Sequence, residues 1–383
     1  MEKIRILHVI EGLGFGGAEK RLLFDLKFLD RNRFDNYVAY LYDLDAYRET
    51  IENLEIPVYP LKMKFLCEIP RVITSLFRII RENKINIVHS QLFWANICAR
   101  IAAKLAGVST VLTTYQYPDY ENDDAKVYSF KRKIIDRLTG RFCNSAFVAV
   151  SDTVARSVKY NLGFNKIFLI PNYLNLGEYQ LSADSEDRRS KLKLSLGIGD
   201  KDVVLMNCGR LVAQKKQIFL LEALPKILLH KQVKLIIVGC GPLEYKLREK
   251  AKKLEIERNI IFLKNRTDMP DLISISDIFI LPSVKEGLSL SLLEAMYMKK
   301  ICMVAKNETM EEVITDGKTG ITFEENNYDV VVGKILEVIN NIKSFSALGE
   351  EASKIVERRY NSSCAVKTLE DTYIEILNYK NKK

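Results

Sequence analysis

With 383 residues and 48% hydrophobic content, the chain is long enough for two domains, each with its own core. Fifty-eight Lys and Arg against 49 Asp and Glu give a formal charge of +9, and only three His exclude a histidine-rich metal site. Seven scattered Cys without a Cys-x-x-Cys pair suit reduced thiols in the cytoplasm; no apolar run reaches membrane-spanning length, and Ile4–Ile10, which carries Arg5 and His8, is not read as a signal peptide.

In chain order, the run Ile4–Ile10 reads as a first strand. The loop Gly12-Leu13-Gly14-Phe15-Gly16-Gly17-Ala18-Glu19 follows, then a helix over 18–29. Gly12, Gly14 and Gly17 fit G-x-G-x-x-G, and Asp43 ends a second strand at 37–42, where a dinucleotide fold holds a ribose. A nicotinamide enzyme is therefore one reading, and a tight turn that brings backbone close to another ligand is its rival. Asp43-Leu44-Asp45 has the form of a metal-binding Asp-x-Asp but reads as a polar loop, because no further acid is placed to complete a coordination shell.

Apolar runs recur at 87–89, 110–114, 147–150 and 167–170, with helical periodicity at 69–81 and 96–105. The charged segment 182–201 reads as a linker and short helix. The alternation then restarts with strands at 203–207, 234–238, 260–262, 278–281, 301–305 and 320–323, and helices at 216–229, 242–254, 289–298 and 327–340. Two strand–helix series predict an α/β protein of two doubly wound Rossmann-like domains, with ligands at the strands' C-terminal edges facing a cleft. The domains are placed at 1–180 and 181–361. Two final helices, at 345–358 and 362–379, add no strand, and the last is expected to pack back on the first domain.

The stretch from Pro282 to Met296 carries the most chemistry. Pro282-Ser283 ends an apolar strand, Glu286-Gly287 lies in the following loop, and Glu294 falls about one turn into the next helix. The helix N-terminus between the two carboxylates offers an anion site, so the pair suits a phosphorylated sugar: acids bind hydroxyls, and the helix end binds phosphate. The plainer alternative is a solvated loop Glu followed by an ordinary helical Glu. After the strand at 203–207, Gly209-Arg210-Leu211 and Lys215 place a forked guanidinium and a point ammonium at the same sheet edge, a combination that neutralises a diphosphate. Val238-Gly239-Cys240-Gly241-Pro242 makes another tight turn.

These residues, in this order and nearly end to end, resemble the family 4 retaining glycosyltransferases of the GT-B fold. The resemblance covers Gly16-Gly17-Ala18-Glu19, Val150-Ser151-Asp152, Ile170-Pro171-Asn172, Gly209-Arg210-Leu211 with Lys215, Val238-Gly239-x-Gly241-Pro242, Leu281-Pro282-Ser283, Glu286-Gly287, Glu294-Ala295-Met296, Glu312-Val313-Ile314 and Asp316-Gly317-x-Thr319-Gly320. It implies that Arg210 and Lys215 hold the donor diphosphate, that Glu294 binds the ribose, and that Glu286 binds the sugar hydroxyls as a catalytic residue. Gly16 and Gly17 would approach the reaction centre, and main-chain N–H groups of Gly287, Leu288, Ser289 and Leu290 would complete the phosphate cradle. From their place in a loop after a strand, Asn265 and Arg266 are expected near the base. Retention without an obvious nucleophile points to front-face attack, with no metal or other cofactor required. The nucleoside-diphosphate sugar is then substrate.

Several positions depart from the family pattern. Tyr115 stands where a His usually ends its strand, and the frequent His-x-His survives as His89-Ser90-Gln91; His89, Gln91 and Tyr115 are the expected acceptor contacts. Lys299-Lys300 replaces Gly-x-Pro, and Glu308-Thr309 replaces a Gly-Gly loop, making it bulky and acidic. Such departures also fit a catalytically silent sugar-nucleotide-binding protein. Basic residues interleaved with Phe, Ile and Leu at 62–84 and 126–141 fit an interfacial helix as well as a solvated one. They suggest a cytoplasmic protein docking on an anionic membrane face to reach a glycan or lipid-linked acceptor. No nucleic-acid-binding module is recognised.

Overall fold

The computed structural model describes residues 2–118, 126–143, 146–180, 185–324 and 327–381. The chain forms two compact units, Met1–Asn172 with Ser362–Lys383, and Tyr173–Asn361.

The first unit runs β1 (Ile4–Ile10), α1 (Gly17–Phe28), β2 (Phe34–Tyr40), α2 (Arg48–Glu52), β3 (Val58–Pro60), α3 (Ile69–Glu82), β4 (Ile87–Gln91), α4 (Phe93–Leu105), β5 (Thr110–Tyr115), α5 (Lys126–Phe142), β6 (Ala146–Ala149), α6 (Asp152–Leu162) and β7 (Ile167–Leu169). Its seven strands lie in the order β3-β2-β1-β4-β5-β6-β7, paired in parallel throughout. Helices cover both faces, which is why the central strands are continuously apolar rather than alternating. One layer of core joins Leu7, Val9, Val88 and Val111 to α3 through Val72, Leu76, Ile79 and Ile80, and to α4 through Ala95, Ala99, Ala102 and Ala103. The small side chains of α4 let that helix sit close to the sheet.

The second unit continues α7 (Ser185–Ser195), β8 (Val203–Cys208), α8 (Gln217–Leu228), β9 (Val233–Val238), α9 (Glu244–Lys253), β10 (Ile260–Leu263), α10 (Met269–Ile275), β11 (Ile278–Leu281), α11 (Leu290–Tyr297), β12 (Ile301–Ala305), α12 (Glu308–Val313), β13 (Ile321–Phe323), α13 (Tyr328–Asn340) and α14 (Ile342–Arg359). Its parallel sheet has the order β10-β9-β8-β11-β12-β13.

The units divide after Asn172, eight residues before the position read from sequence, whose neighbours 181–184 lie outside the described residues. Segment 173–180 joins the second unit through specific contacts. Leu174 pairs with Asn361 and donates its N–H to the Tyr360 carbonyl (2.9 Å), and the Tyr179 ring meets Tyr297 edge-on. The last helix, α15 (Ser362–Asn381), belongs to the first unit. Tyr373 is buried there, and Glu370 accepts from the Asp30 N–H (2.8 Å) and from Arg33 (2.9 Å).

Candidate active site

In each sheet the strand order reverses at one point, between β1 and β4 and between β8 and β11, and a doubly wound fold opens its ligand crevice at such points. Arg210 and Lys215 follow β8, and Glu286 follows β11, so the second unit's reversal point gathers the predicted donor residues. The Lys215 ammonium and Glu286 carboxylate form an ion pair, and both side chains are largely buried. The Lys215 stem lies against Gly209, its Cε 3.4 Å from where a Cβ would be. Gly239 is required beside it: at φ +148°, an added Cβ would lie 2.0 Å from the Gly209 carbonyl oxygen. Arg210 has an exposed side chain, while its carbonyl is fixed by the Gln217 side-chain amide at 3.0 Å.

The loop that carries Glu286 is tied down on several sides. Val284 donates its N–H to the Gln214 carbonyl (3.1 Å), and the Ser291 hydroxyl donates to the Cys208 carbonyl (3.1 Å), joining the first turn of α11 to the end of β8. Ser289 caps α11, its hydroxyl accepting from the Leu292 N–H. Its side chain is thus part of the helix start, and its contribution to an anion site falls to the main chain with Gly287, Leu288 and Leu290. Glu294 is buried one turn further on.

The Glu308-Thr309 substitution takes on a definite role here. Thr309 is buried and donates its hydroxyl to the Glu286 carbonyl at 2.8 Å. Asn307 accepts from the Met310 N–H as the cap of α12, and its amide donates to the Ser283 carbonyl at 3.0 Å. Asn307 and Thr309 therefore hold both ends of the 283–286 loop, and Glu308 between them is exposed. Sequence reasoning did not assign Asn307, Thr309, Ser291 or Gln214. An Asn before an acidic first turn is a legible cap, but its contact with Ser283 joins residues 24 apart and leaves no local signal.

Two further positions are held by local contacts. Arg266 follows β10, which is separated from β8 by β9, and its guanidinium forks onto Asp268 at 2.7 and 2.5 Å; that pairing raises the Arg266 pKa. Lys300, where the family has Gly-x-Pro, is half-buried and donates to the carbonyls of Ser274 and Ser276, both at 2.8 Å; desolvation lowers its pKa to about 8.

In the first unit, Gly16 caps α1 and Gly17 is its first residue, with the Glu19 carboxylate folded against Gly16. Gly12 and Gly14 lie against the side chain of Leu44, so their missing side chains make room for the chain itself rather than for a pyrophosphate. Among the described residues no group of His, Cys, Asp and Glu is arranged to hold a metal ion, and Asp43 and Asp45 are exposed in a loop.

The three expected acceptor contacts are all buried within the first unit. His89 is buried, Nδ1 2.6 Å from the Tyr373 hydroxyl and Nε2 2.7 Å from the Thr114 hydroxyl, so it links β4 to β5 and α15 instead of facing an open edge. Burial holds its pKa well below the ordinary value, with the neighbouring His8 and Arg21 adding to that effect. Tyr115 is buried too. Its hydroxyl donates to both Asp136 oxygens at 3.0 Å and accepts from Arg100 at 3.0 Å, and burial raises its pKa well above the ordinary value. Gln91 is buried and accepts from the Gln116 amide at 2.9 Å.

With this geometry in place, the relatives identify the class. A crystal structure of Anabaena HepE with UDP-glucose superposes with a TM-score of 0.86 at 21% identity, over 97% of this chain and 100% of that one, and has the same two-domain GT-B architecture. Residues 15–178 match the family described as Glycosyltransferase Family 4, and residues 188–355 match Glycosyl transferases group 1. The chain belongs to the family 4 glycosyltransferases of the GT-B fold. It is similar to the Escherichia coli UDP-Gal:alpha-D-GlcNAc-diphosphoundecaprenol alpha-1,3-galactosyltransferase, at 23% identity over 98% of both chains. It is also similar to the alpha-monoglucosyldiacylglycerol synthase of Acholeplasma laidlawii, at 23% identity over 80% of this chain and 79% of that one.

Proposed function

We propose that this protein is a retaining hexosyltransferase that takes its sugar from a UDP-hexose and delivers it to a lipid-linked saccharide at the cytoplasmic face of a membrane. The buried Lys215–Glu286 pair at the β8/β11 reversal point, beside the start of α11, carries the reading. A UDP-sugar is favoured because the E. coli relative uses UDP-Gal and HepE was crystallised with UDP-glucose. A lipid-linked acceptor is favoured because the E. coli relative acts on a diphosphoundecaprenol-linked sugar and the Acholeplasma relative makes a glycolipid. No helix among the described residues is long and apolar enough to cross a membrane, so the docking proposed is peripheral.

The anomeric C–O bond to the β-phosphate breaks while the acceptor oxygen bonds to the same face, and the acceptor proton passes to the departing phosphate oxygen. Arg210, Lys215 and the N–H groups at the start of α11 stabilise the negative charge that develops on UDP. Such preorganised donors typically account for ~10²–10³ in rate each. Glu286 orients the sugar hydroxyls and steadies positive charge at the anomeric carbon. Positive charge from these groups makes the reaction metal-independent, and chelation with EDTA is expected to leave turnover unchanged.

Calorimetric titration with UDP, GDP, ADP and NAD, on wild type and on Arg210→Ala and Lys215→Ala, tests the donor. Selective binding of UDP, lost in both variants, is the expected result. NAD binding that ignores both substitutions would overturn the reading. UDP binding with no turnover of any UDP-hexose would leave a sugar-nucleotide-binding protein.

A further inference from the structure

The apolar and polar faces of α5 are reversed relative to an ordinary surface helix. Its inward side is polar. Asp136 is buried against Arg100, whose guanidinium also donates to Thr139 (3.2 Å), Thr113 (3.2 Å) and Tyr115. Gly140 packs on Phe164 and Phe147. The outward side holds Phe130, Ile134, Leu138 and Phe142, spaced one helical turn apart, with Ile135 alongside; Phe130 is 62% exposed, Leu138 62% and Phe142 69%. At the α-helical period these residues fill a continuous stripe of roughly 140°. Leu105 at the end of α4 is exposed as well, and the Lys104 ammonium sits 5.2 Å from the Phe142 ring centre, so the patch continues past the helix end. The buried pair fixes this orientation: rolling the stripe inward would carry Asp136 out and leave Arg100 uncompensated in the interior.

We infer that this outward face of α5 is the surface by which the protein docks on anionic lipid, a conclusion that rests on the membrane-linked acceptor proposed above. Charge complementarity selects the partner. Lys131, Arg137 and Arg141 are exposed along the same face, and the one acid between 130 and 142 is the buried Asp136. An apolar stripe ringed by cations is the pattern of a helix lying in a lipid interface. A second copy of the chain would set these cations against their own kind across a two-fold axis. The structure also separates the two basic segments that looked alike in sequence. The apolar face of α3 is buried in the core through Val72, Leu76, Ile79 and Ile80, whereas that of α5 is not. The side chains of 126–129 lie outside the described residues.

Flotation with vesicles of phosphatidylcholine, and of equal parts phosphatidylcholine and phosphatidylglycerol, tests this with three variants. The set is Lys131→Gln/Arg137→Gln/Arg141→Gln, Phe130→Ser/Leu138→Ser, and a charge-matched control on the exposed side of α9, Lys246→Gln/Lys252→Gln/Lys253→Gln. Wild type and control are expected to bind the anionic vesicles alike. The basic triple is expected to bind on the order of 100-fold more weakly, from about fivefold per basic side chain near the surface. The apolar double is expected to lose roughly tenfold or more at unchanged charge. Anionic vesicles that hold both α5 variants as tightly as wild type would overturn the α5 surface and leave the membrane reading standing. Wild type that fails to float would overturn both. An equal loss in the α9 control would reduce the effect to bulk charge and overturn the α5 surface. So would a wild-type dimer in sedimentation that dissociates on Leu138→Ser.

Discussion

Thr309 donates its hydroxyl to the main-chain carbonyl of Glu286 at 2.8 Å, across 23 residues of sequence. The acid is thereby fixed from behind, through its main chain. A typical hydrogen bond of this kind contributes about 0.5–1.5 kcal/mol, and its loss leaves a buried carbonyl unsatisfied. Thr309→Val, which keeps the shape, is expected to lower kcat/KM for UDP-hexose turnover by roughly 2- to 13-fold, the same energy expressed as a rate. Thr309→Ser is expected to keep most of the activity. Equal kinetics for Val and Ser would show that the bond does not position Glu286.

The Lys215–Glu286 pair separates stability from function. Removing one member of a buried ion pair strands the other, at a cost of about 3–5 kcal/mol when burial is complete; Lys215 retains some exposure, so the lower end applies. Lys215→Met and Glu286→Leu are each expected to lower the unfolding free energy by about 3 kcal/mol. The double variant is expected to recover most of that loss while remaining inactive. Chemical denaturation beside a transfer assay checks this. A double variant no more stable than the singles would mean the two groups do not compensate one another.

These two relationships mark what was legible in the chain. The period of apolar runs gave two doubly wound sheets, since a parallel sheet covered on both faces leaves continuous hydrophobic strands that sequence displays directly. Arg210, Lys215 and Glu286 were legible because they follow strand ends, and the sheet order brings those ends together. Burial was not legible. His89, Gln91 and Tyr115 sit at or near strand ends and look like open-edge residues, yet α15 and α5 cover two of them with Tyr373 and Asp136. Those contacts span 284 and 21 residues. The reversal of α5 was hidden for a related reason: periodicity finds an apolar stripe but cannot say which side of the helix faces the core when a buried Arg waits on the other.

Acid should weaken the first unit through its histidines. Burial lowers the pKa of both His8 and His89 from the ordinary 6.5, and the ring centres are 5.6 Å apart, so protonating one disfavours protonating the other. Both therefore take up protons less readily in the folded state than in the unfolded chain, which does so below about 6.5. The stability is therefore complete above that value and falls as pH drops, by up to about 1.4 kcal/mol per pH unit for each histidine. The carboxylates with lowered pKa, Glu68, Glu222 and Asp268, begin to contribute only below ordinary values of 4.5, 4.5 and 3.8, so the interval between 6.5 and 4.5 belongs to the histidines. Urea unfolding across that interval should show the slope, and His89→Asn should flatten it by about one proton. A wild-type profile flat from pH 6.5 to 4.5 would contradict the buried neutral pair.

The Arg100–Asp136 pair should matter more to stability than any contact at the donor site. Both side chains are fully enclosed, and burial alone would pull the Arg100 pKa down; Tyr115 and Asp136 together hold it above its ordinary value. Asp136→Ala leaves that guanidinium without its counter-charge and the Tyr115 hydroxyl without its acceptor. A loss of about 3–5 kcal/mol is expected, enough to unfold many domains at physiological temperature. Arg100→Met with Asp136→Leu replaces the pair by apolar groups of similar size and should recover much of the loss. The recovery separates this from simple damage to α5, because a helix held by packing alone would not improve when its second partner is also changed. Thermal denaturation of wild type and the two variants decides it: a double variant as unstable as Asp136→Ala would mean that the polar network, and not charge compensation, holds α5 in its reversed orientation.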